Sequence, residues 1–206
     1  MAPLVEPDQG YALWAETYPP RAHNELMQVE QSAMAPLWKG LPVHRALDLG
    51  TGTGRNLALL ADQGVTARVG LDRSLAMLKR ADPGGAPLIG GDASALPFAA
   101  GAFDLILASL MAGDVPDLSR FTREASRVLR RRGSLVYSDF HPVWAERNWQ
   151  RTFESADGRK WRLPYHPHAL DDHRAALDAA SLETVAFEEP LLGDSPVLVV
   201  LRAVKR

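Results

Sequence analysis

The segment with the clearest chemical potential is a glycine-rich run at residues 48–54, DLGTGTG. Glycines permit a tight turn and a close approach of the backbone to a ligand, and a helix that begins directly behind them offers unpaired N–H groups. Gly50 and Gly52 are therefore candidate ligand contacts. A dinucleotide-binding fingerprint would place its third glycine at Arg55, and the run lacks the lysine-containing end of a nucleoside-triphosphate loop. The alternative is a plain tight turn between a strand and a helix.

Acidic side chains end the next two predicted strands. Asp72 lies 18 residues after Gly54, where a carboxylate can accept both hydroxyls of a ribose. Asp92 is followed by Ala93, so a carboxylate and a backbone N–H could read the amino group and a ring nitrogen of adenine. Asp48 would repel a pyrophosphate but could pair with an ammonium group. Together these positions predict an adenosine-containing ligand without phosphates.

Three histidines are candidates for acid–base or metal chemistry. His141 follows Asp139 at the exit of the fifth predicted strand and is the first candidate for a general base or an acceptor contact. The alternative is a loop histidine that contacts no ligand. His166 and His168 could join His141 or Asp139 in a metal site, although such proline-flanked histidines need no ligand. We expect no metal site.

Residues 139–169 are rich in aromatic side chains and histidine and poor in aliphatic ones. So long a connection after a strand is more often a functional lid than core. Trp144, Trp161 and Tyr165 could cover an apolar or planar acceptor molecule, and His23 could line the mouth of the same site. Alternatively, these aromatic side chains pack a hairpin onto the sheet edge.

The elements that must position these residues alternate between strand and helix. Strands are predicted at residues 45–49, 67–72, 87–90, 103–109 and 134–138, and helices at residues 24–38, 55–63, 74–81 and 118–129. This alternation predicts a parallel sheet with crossover helices on both faces. The carboxyl ends of the strands then bring the glycine run and the acidic side chains to one edge.

The end of the chain departs from this alternation. A helix at residues 170–180 precedes strands at 182–188 and 197–204, which a short Gly/Pro loop joins. Strands joined so tightly pair antiparallel. Within the lid, Asp157-Gly158 is a hairpin turn signal.

Several segments carry a resemblance to a known family. They are residues 48–54, Gly70-Leu71-Asp72-Arg73-Ser74, Gly91-Asp92-Ala93, Phe103-Asp104-Leu105-Ile106 and residues 124–130, EASRVLR. In this order they make residues 45–140 resemble the class I S-adenosylmethionine (SAM)-dependent methyltransferases of the small ubiquinone-biosynthesis-type group. Residues 11–18, YALWAETY, resemble the family's opening, whose tyrosine closes over the cofactor. The chain differs from the family pattern at residues 113–116, GDVP, because many relatives carry a histidine after the fourth strand.

The resemblance implies an α/β fold, a Rossmann-like doubly wound sheet of seven strands that is mostly parallel with the last strand antiparallel. It implies SAM as cofactor, S-adenosylhomocysteine (SAH) as product, and no required metal. The expected cofactor contacts are Tyr11, Tyr18, Asp48, Gly50, Gly52, Asp72, Arg73, Asp92, Ala93 and Ser109.

The expected reaction is an in-line displacement that carries a methyl group to a small-molecule acceptor, at oxygen. The alternatives are methylation at carbon or nitrogen, methylation of a carrier-bound carboxyl group, and a non-catalytic SAM- or SAH-binding module that regulates a partner. A nicotinamide oxidoreductase is disfavoured by the missing third glycine.

Composition limits the remaining choices. The 206 residues are expected to form a single domain: an N-terminal helical lid (1–40), a SAM-binding core (41–140), the lid insertion (141–169) and a C-terminal helix with an antiparallel strand pair (170–206). A net charge of −2 gives no global reason to bind nucleic acid or a membrane surface. The chain has no cysteine and no apolar run near the length of a membrane span, and residues 1–8 lack the basic-then-apolar pattern of a signal peptide, so we expect a cytoplasmic protein. We also expect a monomer or homodimer.

Overall fold

A computed structural model describes residues 2–206; Met1, the first residue of the predicted N-terminal lid, lies outside the described residues. The helices are α1 (Pro7–Ala15), α2 (Glu25–Trp38), α3 (Arg55–Asp62), α4 (Leu75–Arg80), α5 (Leu118–Val128), α6 (Val143–Glu146) and α7 (Leu170–Ala179), with a short 3₁₀ helix at Ala112–Asp114. The strands are β1 (Arg45–Leu49), β2 (Ala67–Asp72), β3 (Leu88–Gly90), β4 (Phe103–Ala108), β5 (Leu129–Phe140), β6 (Thr152–Glu154), β7 (Lys160–Arg162), β8 (Leu182–Glu188), β9 (Leu191–Leu192), β10 (Ser195–Pro196) and β11 (Leu198–Lys205).

Seven strands form the central sheet in the order β3-β2-β1-β4-β5-β11-β8. The pairs from β3 to β5 are parallel, and β11 is antiparallel to both of its neighbours. The predicted fold class is confirmed. The strand order reverses between β1 and β4, and open sheets of this kind bind ligands at the carboxyl edge beside such a reversal.

The core has two layers because helices cover both faces of the sheet. Along β4, Leu105 and Leu107 belong to a cluster with Trp38 of α2, whereas Ile106 belongs to the opposite cluster with Phe121 of α5. All six residues of β4 are buried, as expected for a central parallel strand. Thus α2, which was predicted to belong to an N-terminal lid, also forms part of the layer against the sheet.

Strand β5 is longer than the predicted residues 134–138. Helix α5 ends at Val128, and Leu129 already pairs with Phe103. The early start is accommodated by a positive φ of 62° at Arg132, next to Gly133, where a Cβ would lie 2.9 Å from the Arg130 carbonyl oxygen. A strand whose second to fourth residues are arginines does not show the apolar pattern by which strands are recognised.

The lid insertion forms the predicted hairpin, with β6 antiparallel to β7, and is attached to the N-terminal segment. The Val5 N–H donates to the Arg162 carbonyl oxygen at 3.0 Å, and the Arg162 N–H donates to that of Pro3 at 2.9 Å. Trp14 of α1 stacks on Phe153 of β6 with ring centroids 5.0 Å apart. Two segments far apart in sequence therefore form one cover over the carboxyl edge of the sheet.

Candidate active site

A cavity of about 1130 Å³ lies between this cover and the carboxyl edge of the sheet. Its wall includes these residues named from the sequence: Tyr11, Tyr18, His23, Gly50, Gly52, Asp72, Arg73, Asp92, Ala93, Ser109 and Trp144. Asp48, His141, Trp161 and Tyr165, also named from the sequence, are not in the wall. The structure thus brings the candidate cofactor contacts together, except for Asp48, but separates the candidate base from them.

The glycine loop, residues 50–54, has the backbone geometry that its sequence requires. Gly50 and Gly52 have φ values of +70° and +53°, a region that favours glycine. A Cβ on Gly52 would meet nothing within 4 Å, so the loop is open at that point, whereas a Cβ on Gly50 would lie 2.8 Å from the Met111 side chain. This open turn leaves room for a ligand to approach the backbone closely.

Asp72 ties the glycine loop to the end of β2. Its carboxylate accepts hydrogen bonds from the Gly52 N–H at 2.7 Å and from the Ser74 N–H at 2.8 Å. Burial raises the pKa of the Asp72 carboxyl, while these two backbone hydrogen bonds oppose the rise. Asp72 is therefore held rigidly in the cavity wall.

Asp92 lies at the end of β3 in a more solvated position. Its carboxylate accepts hydrogen bonds from both the N–H and the hydroxyl of Ser94 at 2.7 Å. These hydrogen bonds lower the pKa of the Asp92 carboxyl. Together with Ala93, this side chain extends the cavity wall along β3 beyond Asp72.

The structure does not place Asp48 in the cavity wall, although the sequence predicts it as a cofactor contact. Asp48 is fully buried under the glycine loop and accepts hydrogen bonds from the Thr51 hydroxyl at 2.5 Å and the Asn56 amide at 3.0 Å. Burial raises the pKa of its carboxyl to about 6. The Asn56 amide also donates to Ser109 at 2.9 Å. Asp48 thus supports the loop from below.

In the part of the cavity wall formed by α1, the 3₁₀ helix and the lid, three polar side chains form one hydrogen-bonded group among aromatic rings. The Tyr11 hydroxyl donates to Asp114 at 2.5 Å, and the Arg151 guanidinium donates to the other oxygen of the same carboxylate at 2.6 Å. The guanidinium carbon lies 5.5 Å from the centroid of Tyr11 and 5.8 Å from that of Trp14. Burial raises the pKa of the Tyr11 hydroxyl, so Tyr11 remains a proton donor. We call this part of the wall the acceptor compartment, because we propose below that it holds the methyl acceptor; it contains Tyr11, Trp14, Asp114, Phe140, Trp144, Trp149 and Arg151.

His141 was predicted to be a general base, but in the structure its side chain lies outside the cavity wall and contacts Glu189. Its Nε2 lies 2.8 Å from the Glu189 carboxylate, and its Nδ1 accepts from the Val143 N–H at 3.2 Å. Both ring nitrogens are therefore engaged outside the cavity. His141 connects the end of β5 to the segment before β9.

Two predicted acceptor contacts are used in packing the cover. The Trp161 indole donates to the Ser155 hydroxyl at 2.9 Å, and the Tyr165 hydroxyl donates to the Phe140 carbonyl oxygen at 3.2 Å. The alternative interpretation from the sequence, that lid aromatics pack the hairpin onto the sheet edge, describes these two side chains better.

The histidines considered for a metal site are separated. His168 is buried with Nε2 2.9 Å from the Val115 carbonyl oxygen, whereas His166 is exposed. Within residues 2–206, no three histidine, aspartate or glutamate side chains are grouped so that they could hold a metal ion.

Sequence reasoning missed Trp14, Glu30, Arg55, Asp114 and Arg151 as site residues. An arginine within the aromatic lid and an aspartate after β4 were visible, but nothing in their spacing linked them. Arg55 was noted only as the position of a missing glycine. Its side chain also lines the cavity and pairs with Glu30 at 2.8 Å.

Comparison with known proteins agrees with this geometry. Residues 47–137 match the methyltransferase domain family. A demethylmenaquinone methyltransferase of Beutenbergia cavernae is 42% identical over 108 residues, which are 50% of this chain and 44% of that protein. A malonyl-acyl-carrier-protein O-methyltransferase of Legionella pneumophila is 37% identical over 106 residues, 48% of this chain and 37% of that protein. The matches span less than half the length of these relatives.

Solved structures share the fold over most of the chain. A SAM-dependent methyltransferase from Mesorhizobium loti covers 86% of this chain and 98% of its own, with a TM-score of 0.72 at 22% identity. A similar protein from Listeria monocytogenes covers 87% and 99%, with a TM-score of 0.73 at 18% identity. No helix within residues 2–206 is long and apolar enough to span a bilayer. The chain is thus similar to the class I SAM-dependent methyltransferases, through the methyltransferase domain at residues 47–137 and through its fold.

Proposed function

We propose that this protein transfers a methyl group from SAM to an oxygen atom of a small, largely apolar acceptor. The observation that carries the proposal is the continuity of the cavity, which runs from the glycine loop and Asp72 to the aromatic acceptor compartment. Its volume of about 1130 Å³ exceeds the range of about 300–1,000 Å³ that is usual for a site holding a single small ligand. The cavity therefore has room for both a cofactor and an acceptor.

The residues at the strand edge suit the adenosine part of SAM. Asp72 can accept hydrogen bonds from ribose hydroxyls, while Asp92 and the N–H of Ala93 can contact the adenine edge. Gly52 allows the ligand to lie against the backbone. Bound SAM would supply a methyl group already activated by the positive sulfonium, so the protein's main tasks are to orient the acceptor and to exclude water.

The acceptor compartment provides groups for both tasks. Phe140, Trp144 and Trp149 offer aromatic surface for an apolar or planar molecule. Asp114 can accept a hydrogen bond from an acceptor hydroxyl and take its proton as the methyl–sulfur bond breaks and the methyl–oxygen bond forms, with SAH as leaving group. The adjacent Arg151 can stabilise negative charge on the acceptor oxygen. Tyr11 fixes the Asp114 carboxylate in this position through its own hydrogen bond.

A second candidate function is methylation of a carboxylate, including one attached to a carrier. Arg151 favours it, because a guanidinium can bind a carboxylate through two hydrogen bonds. The names of the relatives include both a demethylmenaquinone methyltransferase and a malonyl-acyl-carrier-protein O-methyltransferase. The acceptor must therefore be found by experiment.

The test is a screen with SAM labelled in its methyl group against phenols, enols, amines, free carboxylic acids and acyl-carrier thioesters. Base-labile product identifies a methyl ester, and NMR of stable product separates methyl attached to oxygen, nitrogen or carbon. The variant Arg151→Met/Asp114→Asn is the matched control, because it should bind SAM and lose turnover. Transfer to carbon or nitrogen would contradict the oxygen assignment. Tight SAM binding without transfer to any class would favour the regulatory alternative.

A further inference from the structure

The 3₁₀ helix that carries Asp114 is held through its central residue, Gly113. The Gly113 N–H donates a hydrogen bond to Oδ1 of Asp139 at 3.1 Å, and the Gly113 carbonyl oxygen accepts one from the His166 N–H at 2.9 Å. A Cβ at this glycine would meet the Tyr165 ring and would lie 2.9 Å from Oδ1 of Asp139. The backbone directly before Asp114 is therefore fixed from three directions.

Asp139, at the end of β5, occupies its position at a cost to the fold. Its side chain is fully buried, and Oδ1 also accepts a hydrogen bond from the Phe140 N–H at 2.7 Å. Oδ2 has no hydrogen-bond partner among residues 2–206, and the same is true of Nε2 of His173, which lies 3.8 Å from it. That distance is too long for a hydrogen bond, and a buried polar atom without a partner is destabilising.

The benefit that offsets this cost is the contact with Gly113. The second ring nitrogen of His173 lies 3.0 Å from the Tyr137 hydroxyl, so His173 is held independently of the carboxyl group. An apolar side chain at position 139 would remove the unsatisfied oxygen but would leave the Gly113 N–H without its acceptor. The carboxyl group is thus better explained by the backbone that its Oδ1 holds than by the stability of the core.

Asp139 belongs to a different part of the fold from the other groups that hold Asp114. Tyr11 and Arg151 contact the Asp114 carboxylate from α1 and the lid, which form the cover. Asp139 belongs to β5, which pairs with β4 and β11 inside the sheet. The link through Gly113 therefore ties Asp114 to the sheet, at whose edge the candidate cofactor contacts lie.

Resting on the proposed function, we propose that Asp139 is a positioning residue for methyl transfer, which fixes the Asp114 carboxylate through the Gly113 N–H. The proton of the acceptor hydroxyl passes to Asp114 in that reaction, so the rate depends on the distance between this carboxylate and the acceptor oxygen. A displacement of about 1 Å at such a site can lower a rate by about 100-fold. Asp139 itself lies outside the cavity wall and acts only through Gly113.

Urea denaturation tests the link without any acceptor molecule. Asp139→Leu keeps the branched shape of the side chain but removes the oxygen that holds Gly113, so the pair between Asp114 and Arg151 should be less well formed. The fall in urea midpoint that Asp114→Asn causes should then be smaller in the Asp139→Leu background than in the wild-type protein, because the two substitutions affect one linked group.

The matched control is Asp104→Leu, at the opposite edge of the sheet. Asp104 is also buried and also accepts hydrogen bonds from two backbone N–H groups, at 2.7 and 2.8 Å. Because Asp104 lies at the start of β4 and Asp114 beyond its end, Asp114→Asn should lower the midpoint as much in this background as in wild type. Equal shifts in the Asp139→Leu, Asp104→Leu and wild-type backgrounds would overturn the proposal.

Kinetics with the acceptor that the methylation screen identifies give the second readout. Asp139→Leu should lower kcat about 100-fold and leave KM for SAM close to that of wild type, because Asp139 lies outside the cavity wall. Asp139→Asn keeps an oxygen for the Gly113 N–H and should recover most of the kcat. A wild-type kcat in Asp139→Leu, or a kcat in Asp139→Asn as low as in Asp139→Leu, would overturn the proposal.

Absence of methyl transfer to every acceptor class would contradict the proposed function, while the urea comparison would still decide whether Asp139 fixes Asp114. A thermal unfolding curve identifies any variant that does not fold. Asp139→Ser, whose shorter side chain withdraws the oxygen from Gly113, then replaces Asp139→Leu with the same expected results.

Discussion

Arg151 donates a hydrogen bond to Asp114 across 2.6 Å and thereby joins the start of the lid hairpin to the 3₁₀ helix that follows β4. The side chain of Arg151 is 9% exposed and that of Asp114 is 27% exposed. Because Tyr11 of α1 donates to the same carboxylate, three segments separated in sequence meet at one group. These three segments therefore form the acceptor compartment together.

A substitution that removes only one charge of the Arg151–Asp114 pair should destabilise the protein more than a double substitution that removes both charges. Asp114→Asn leaves the buried Arg151 charge without its partner, and such losses cost about 3–5 kcal/mol in the free energy of unfolding. Arg151→Met/Asp114→Asn should recover most of that loss, as measured by urea denaturation. The control is Arg159→Met, which breaks an exposed pair with Asp157 on the same hairpin and should cost less than about 1 kcal/mol. A double variant as unstable as Asp114→Asn would contradict the importance of the pair.

Replacing Asp72 should weaken cofactor binding without unfolding the chain. Asp72→Ala removes the acceptor for ribose hydroxyls and releases the Gly52 N–H, so SAM affinity should fall about 10- to 150-fold, the loss typical of hydrogen bonds to a charged group. Asp72→Asn should be milder because one acceptor oxygen remains. Calorimetric titration with SAH measures both, and the exposed Asp171→Ala is the control. Unchanged affinity in Asp72→Ala would show that the ribose binds elsewhere.

Stability should fall as pH rises from about 6.5 to 8, owing to a buried carboxyl group below the acceptor compartment. Burial raises the pKa of Asp139 to about 8, so the folded protein keeps a proton there that the unfolded chain releases near pH 4. Burial also lowers the pKa of His173 to about 4, and this neutral histidine makes stability rise with pH up to about 6.5. The two slopes oppose each other below that pH, and the Asp139 effect acts alone above it.

The decrease between pH 6.5 and 8 should reach at most about 2 kcal/mol, since one proton contributes about 1.4 kcal/mol per pH unit. Urea midpoints measured across this range test it. Asp139→Asn keeps an oxygen for the Gly113 and Phe140 N–H groups and should flatten the slope. An equal slope in wild type and variant would assign the pH dependence to another group.

His141 should be dispensable for catalysis. Its ring is engaged by Glu189 and by the Val143 N–H, outside the cavity. His141→Gln should therefore leave kcat, KM and the pH–rate profile close to those of wild type, with a lowered Tm as the main effect. A large fall in kcat, with loss of one limb of the pH profile, would restore His141 as a base.

The meeting of the candidate cofactor contacts at one cavity was predictable because its signals are local. Gly50, Gly52, Asp72 and Asp92 lie at strand ends, and a parallel sheet gathers such ends at one edge whatever the rest of the chain does. The side chain of Asp48 was misplaced because spacing alone does not say on which side of the loop a residue points.

The acceptor end was not predictable in the same way. The contact between Arg151 and Asp114 depends on how the lid hairpin docks, which involves Trp14 stacking on Phe153 and backbone hydrogen bonds to Arg162. Such tertiary contacts leave no periodic pattern in the sequence. The direction of His141, beyond the end of β5, is likewise set by its partner Glu189. A cytoplasmic location and a monomeric or homodimeric state stay predictions.

The most direct test of the account is thermal unfolding of the wild-type protein in the presence of SAH, NADH or ATP. A ligand that binds only the folded state raises stability by mass action, by about 2.7 kcal/mol at a concentration of 100 Kd. SAH should raise Tm in a concentration-dependent manner, and NADH and ATP should leave it unchanged. A rise with NADH and none with SAH would contradict the assignment of this cavity to SAM.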